Sequence, residues 1–291
     1  MLDRETMLAD NRLGAALALA RRRELPIPKP VVAAEATLDE LRRLQAQPDP
    51  PVPTLPARAD AIEAAFVAAA NQRANVAAVR AMAAESVDVA ATELSAAVKN
   101  SLAGWIDGLA ENFATELVDF REAAASAPNV SADALAGLAP VAFEAWQTAT
   151  RCALSLDLLV EDRRLLAQAF GENPATRLWG HALPLIAVLK PHVGDREDLG
   201  DAFRARAAEL KSVDALTDSS SRWRGWVSAE DRGLLRLSLA GPAEVGPRVA
   251  LVESWRVGFD ALLTRAGGVE LGGVLAGAEN TWRILATVGG A

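Results

Sequence analysis

From Ile62 to Phe120 apolar or small side chains recur at steps of three and four, through Phe66, Val76, Ala83, Leu94, Leu102 and Phe113 among others. With Arg73 filling the one missing place, 58 residues are crossed in 16 steps, the roughly 3.6-residue period of a straight helix rather than the 3.5 of a left-handed coiled coil. Residues 57–127 contain no proline, and their glycines are Gly104 and Gly108. One unbroken helix over this span would be about 105 Å long. A break at either glycine would give a helical hairpin instead, and both readings stand at this point.

Ahead of it, residues 1–56 form an N-terminal arm. Residues 2–24 suit a short amphipathic helix with Leu13 and Leu17 on one side and Arg21, Arg22 and Arg23 complementing its C-terminal dipole. Pro26, Pro28 and Pro30 then predict extended chain. A second helix is expected to open at Thr37, where Thr37 and Glu40 have capping-box spacing, and to carry Leu38 and Leu41. Pro48, Pro50, Pro51, Pro53 and Pro56 predict a second semi-rigid spacer.

Residues 128–291 read as a helical domain with frequent Gly and Pro punctuation. Helices are expected near 132–138, 140–170 ending at Gly171, 174–189, 195–216, 229–240, 247–266 and 280–286. Leu235, Leu237 and Leu239 alternate with Arg236 and Ser238, and residues 249–259 have a matching parity, so a small β-hairpin around 241–247 is the rival reading. The fold class is therefore all-α: an arm of short helices, a long Ala-rich helix or helical hairpin, and a multi-helix bundle that allows one small β-hairpin.

Composition agrees. Half the residues are hydrophobic, at 51%, and there are seven Trp, seven Phe and no Tyr. Much of the apolar fraction is alanine, the strongest helix former. High alanine and arginine with little lysine also suit a GC-rich bacterial or phage coding sequence. The formal charge is −8, and residues 1–150 carry most of it, with 13 basic side chains against 20 acidic ones. Neither half has the basic excess that phosphate neutralisation needs, so nucleic acid is not an expected partner. No apolar run approaches the roughly 18 residues of a membrane span. With acids before the first apolar run and arginines after it, the opening does not resemble a secretory signal, so a cytoplasmic protein, or one built into a particle assembled there, is expected.

Chemistry is thinly represented. No G-x-x-x-x-G-K-[ST], G-x-G-x-x-G or G-x-S-x-G pattern occurs. His181 and His192 are the two histidines and Cys152 the one cysteine, so neither a metal site nor a cofactor site is expected. Asp107 with Glu111 and Asp157 with Glu161 each share a helix face, as chance alone would arrange among 38 acidic residues. Arg163 and Arg164 beside the second pair suggest a solvated charged face.

One dense segment remains, SSSRWRGW at residues 219–226. The serines read as loop, with Ser228 capping the next helix. Arg222, Trp223, Arg224 and Trp226 combine the residue types most enriched at interface hot spots, and they fit a core closure equally. Together with Leu13, Leu17, Leu38 and Leu41 they are the candidate protein interface. The expected function is that of a non-enzymatic structural or assembly protein, with protein partners or self-association, of the kind found in a phage particle or another bacterial multiprotein assembly. Two alternatives come from other classes. One is a small-ligand or enzymatic bundle with a pocket near Trp146, Trp179, His181 and Trp255. The other is a membrane-active helical protein using the Gly-rich stretch from Gly267 to Gly277.

Overall fold

The structure, a computed structural model, describes residues 4–54, 58–130, 132–175, 182–190, 199–264 and 277–285. Within them the chain is helical apart from one two-stranded antiparallel sheet, as the all-α reading requires. It divides into two units, residues 1–101 and 102–291.

The first unit holds α1 (Arg4–Arg22), α2 (Lys29–Gln45), a 3-10 turn (Ala59–Ala61) and the residues up to Ser101 of α3, which runs Ile62–Ser126. Helix α1 stops because Glu24 turns left-handed, at φ 55°. The Leu25 N–H then reaches the Ala20 carbonyl at 2.8 Å and the Glu24 N–H reaches Arg21 at 3.1 Å, while the Leu25 side chain is buried. These are the paired bonds and the apolar contact of a Schellman stop. Helix α2 begins eight residues before the expected capping box. Pro28 is its N-cap and Pro30 lies in its first turn, where a fixed φ and a missing N–H cost nothing. Thr37 is mid-helix and returns its hydroxyl to the Ala33 carbonyl at 3.0 Å, so it caps nothing. Arg21 pairs with Glu35 at 2.5 Å between α1 and α2. Arg80 on α3 reaches Asp49, at 2.7 Å, and the Gln47 carbonyl in the strap after α2.

Of the two readings of residues 57–127, the continuous helix is the one observed. Gly104 and Gly108 do not break it. A helical glycine costs only about 1 kcal/mol, and Leu102, Trp105, Ile106 and Leu109 around them are buried.

The second unit contains the rest of α3, a 3-10 turn (Ala132–Gly137), α4 (Pro140–Phe170), α5 (Leu183–Ile186), β1 (Ala187–Leu189), α6 (Leu199–Asp214), α7 (Ser219–Asp231), β2 (Leu235–Leu237), α8 (Val245–Thr264) and α9 (277–285). Helix α4 matches its expected bounds and ends as predicted with Gly171 in the left-handed region, at φ 82°. The helix expected at 174–189 is not formed over its described part. Residues 174–175 are non-helical, and Leu183–Leu189 make one helical turn followed by β1, every residue of it buried. A run that is apolar on all sides carries no period, so pattern cannot choose between helix and strand. The strand reading of Leu235 holds, and the register pairs Ala187 with Leu237 and Leu189 with Leu235. The partner strand thus comes from upstream, while residues 249–259 lie in α8. The helix expected at 229–240 gives way to α7, which starts at Ser219 because the Asp218 carboxylate accepts the Ser221 N–H at 2.7 Å.

Helix α7 packs on α4 and α6, and the α6 contact depends on Gly225. A Cβ there would lie 2.7 and 2.8 Å from the two γ-methyls of Val213. Gly225→Ala is therefore expected to destabilise by about 1–3 kcal/mol despite its better helix propensity, and Val213→Ala in the same chain should restore most of the loss. Urea unfolding of the single and double variants measures both.

Candidate interaction surface

The Arg–Trp segment folds inward. Trp223 and Trp226 are each 1% exposed. One carboxylate organises the group. Asp157 on α4 accepts the Trp223 indole N–H at 2.9 Å, Arg222 at 2.7 Å and the Ser219 hydroxyl at 2.5 Å. Arg222 also donates to the Leu216 carbonyl. Trp223 meets Phe113 of α3 edge-on, with centroids 5.7 Å apart at 60°. Arg224 donates to the Ala124 and Ala127 carbonyls at 2.7 and 3.0 Å, placing a cation on the C-terminal end of α3. Burial lowers the pKa of that guanidinium, with Asp218 opposing the shift. The segment is thus a clamp between α3, α4 and α7, and both of its indoles are buried.

Leu17 and Leu38 are buried, and Leu13 and Leu41 half-buried, within the first unit. Asp107 and Glu111 are exposed. Glu161 pairs with Arg164 at 2.7 Å on the surface, whereas Arg163 is completely buried. The solvated face expected at Arg163 is therefore corrected: a guanidinium here reaches into the core. Its Nε donates to the Ala240 carbonyl at 2.6 Å and its Nη2 to Gly241 and Glu172, at 3.0 and 2.7 Å. Arg248, also buried, holds the same loop through the Ser238 and Leu239 carbonyls and pairs with Glu244 at 2.6 Å. Burial pulls the Arg248 pKa down to about 10, Glu244 works against this, and Arg236 and Arg163 add to it. Sequence reasoning missed this network, and neither arginine carries a local signal for it.

A cavity of about 310 Å³ opens beside the clamp, lined by Asp157, Val160, Ile186, Asp214, Arg222 and Trp226 among others. The Asp157 and Arg222 groups on its wall are engaged in the bonds just described. Of the pocket residues considered from sequence, Trp146 stacks on Phe143 at 6.1 Å, and Trp255 is buried with its indole N–H 3.2 Å from the Lys190 carbonyl. Trp179, His181, His192 and the stretch 267–276 lie outside the described residues. Among the described residues no group of three or more His, Cys, Asp or Glu is placed to hold a metal ion. Nor is any described helix long and apolar enough to cross a membrane.

Cys152 sits buried on α4. Its thiol pKa is pushed up to about 11, first by burial and then by the hydrogen bond and charge of Glu116, with Arg151 opposing. The thiol is protonated at neutral pH and a poor nucleophile. Because the folded pKa lies above the ordinary value of 9.0, the contribution to stability is fully present below about pH 9. It is lost as pH rises through about 11, by an amount on the order of 2–3 kcal/mol. The urea midpoint of the wild type is expected to fall between pH 8.5 and 11 by more than that of Cys152→Ala.

The unusual surface lies in the first unit. Residues 62–82 of α3 comprise 15 apolar residues out of 21, and none of them is buried. Phe66, Val67, Val79 and Met82 are 38–68% exposed, and Val89, seven residues or about two turns beyond Met82, is 61% exposed. Burial on α3 begins at Ala83 and continues through Ala90 and Val98. At 100° per residue these three lie on one face, and Met82 and Val89 lie on a second face about 100–120° round the helix from Ala83. Sequence period marks the first face and is silent about the second, which shows only as an excess of alanine.

No protein-family model, curated protein or solved structure matches the chain.

Proposed function

We propose that the chain is a non-enzymatic assembly protein that acts through protein–protein contacts made by the amino-terminal half of α3. The observation that carries this reading is the 21-residue stretch of that helix, mostly apolar and with no residue buried. A helix of a water-facing protein ordinarily carries one apolar stripe and one polar face. A helix apolar on two separate faces is suited to cover from two directions, and contiguous exposed apolar surface marks interaction sites. The polar side chains of the Arg–Trp clamp are spent on internal bonds, which favours a role in holding the fold over one in chemistry.

A photo-crosslinking amino acid at position 82 or 89, introduced into the chain in the cells that make it, tests this. Discrete protein adducts are expected from both positions and not from position 211, an exposed lysine on α6. If positions 82 and 89 give no protein adduct, the reading is wrong.

A further inference from the structure

We infer that the partner of this α3 face is a second copy of the chain, laid antiparallel across it about a two-fold axis near Ala81. The inference rests on the proposed assembly role and names its partner.

The charges on the edge of the face carry the argument. Glu63 and Lys99 are 36 residues apart, ten turns of a 3.6-residue helix, so they stand on the same edge of α3. Both are exposed, and neither has an ion-pair partner among the described residues. When two antiparallel helices are related by a two-fold axis, an edge of one lies beside the same edge of the other with its direction reversed. Residue i then stands level with the residue the same distance beyond the midpoint. With the midpoint at Ala81, Glu63 of each copy meets Lys99 of the other, giving one ion pair at each end.

The remaining acids of this surface agree. Glu85, Asp88 and Glu93 all lie on the carboxyl-terminal side of the midpoint, and they come level with Ala77, Ala74 and Ala69. Asn71, on the same helix face as Glu93 and two residues, about 3 Å, from its level, supplies an amide donor. A parallel pair would instead set each acid beside its own copy, and like charges at such spacing repel. Met82 stands next to the axis, where the two copies of its side chain meet, with Ala78 small enough to let the backbones approach. A strip about 54 Å long and about 10 Å wide on each helix covers roughly 1,100 Å² in total, the lower end of what a stable association needs. The pair should therefore form reversibly at micromolar concentration.

Cysteine cross-linking of the purified full-length chain decides the geometry, with the wild type and its buried thiol as control. Under mild oxidation Met82→Cys is expected to give a disulfide dimer. Val89→Cys alone should not, because its two copies would be about 24 Å apart along the axis. Mixed with Asn75→Cys it should, since those positions come within one turn of each other. Glu63→Lys is expected to weaken the dimer about three- to tenfold in sedimentation equilibrium, and adding Lys99→Glu to restore it. Efficient self-linking of Val89→Cys would show parallel pairing and overturn the inference. So would a chain that stays monomeric to 100 µM. If that monomer still gives adducts to a different protein in cells, the assembly role survives without the homotypic partner. If it gives none, both fall.

Discussion

Replacing Arg163 by alanine is expected to lower the stability of residues 102–291 by about 3–5 kcal/mol. The guanidinium is completely buried and holds three acceptors, the Ala240 and Gly241 carbonyls and the Glu172 carboxylate. Truncation leaves all three in a place water reaches poorly, and Glu172 keeps a charge without its counterion. The cost belongs mostly to those orphaned groups, so Arg163→Met with Glu172→Gln should recover a good part of it although the ion pair is still absent. All seven tryptophans lie between Trp105 and Trp282, so indole fluorescence during urea unfolding reports this unit alone. If Arg163→Ala unfolds within 1 kcal/mol of the wild type, the latch from α4 to the 238–241 loop is not a major source of stability.

Trp223→Ala should be of similar size, about 3–5 kcal/mol, for a different reason. It removes one of the largest fully buried side chains, empties the position against Phe113 and takes one donor from Asp157. Trp223→Phe keeps most of the volume and the aromatic edge contact and loses the indole N–H. It should cost about 1–2 kcal/mol, leaving Asp157 with Arg222 and Ser219. The ratio of the two losses in urea unfolding separates packing from hydrogen bonding. Near-equal losses would mean that the Asp157 bond dominates. A negligible loss for the alanine variant would contradict burial of the ring.

How much of this was legible in the residues depends on the range of the interaction that decided each element. Helix α4 was readable at both ends because Pro140 and Gly171 act within a turn of themselves. The start of α2 was not legible, because one run of prolines suits extended chain and a first helical turn alike. At Leu183–Leu189 the run is buried on every side, so no period exists from which to read it. Strand β2 shows the complementary case. Its alternation was visible, but its partner β1 lies 46 residues upstream and nothing local points to it. The Arg–Trp segment stands out in the sequence by its residue types, but the choice between core and partner rests on Asp157, more than 60 residues away.

The sequence by itself determined the helical class, the unbroken apolar period of α3 and the absence of recognisable catalytic or phosphate-binding patterns, because these follow from side-chain type and spacing along one strand of chain. Only the tertiary structure decided that Arg163 is a core residue, that Trp223 and Trp226 face inward, and that the first third of α3 is left bare. Burial is a property of what other parts of the chain place nearby. A helix with alanine on several sides gives no hint from within of which side they will leave to water.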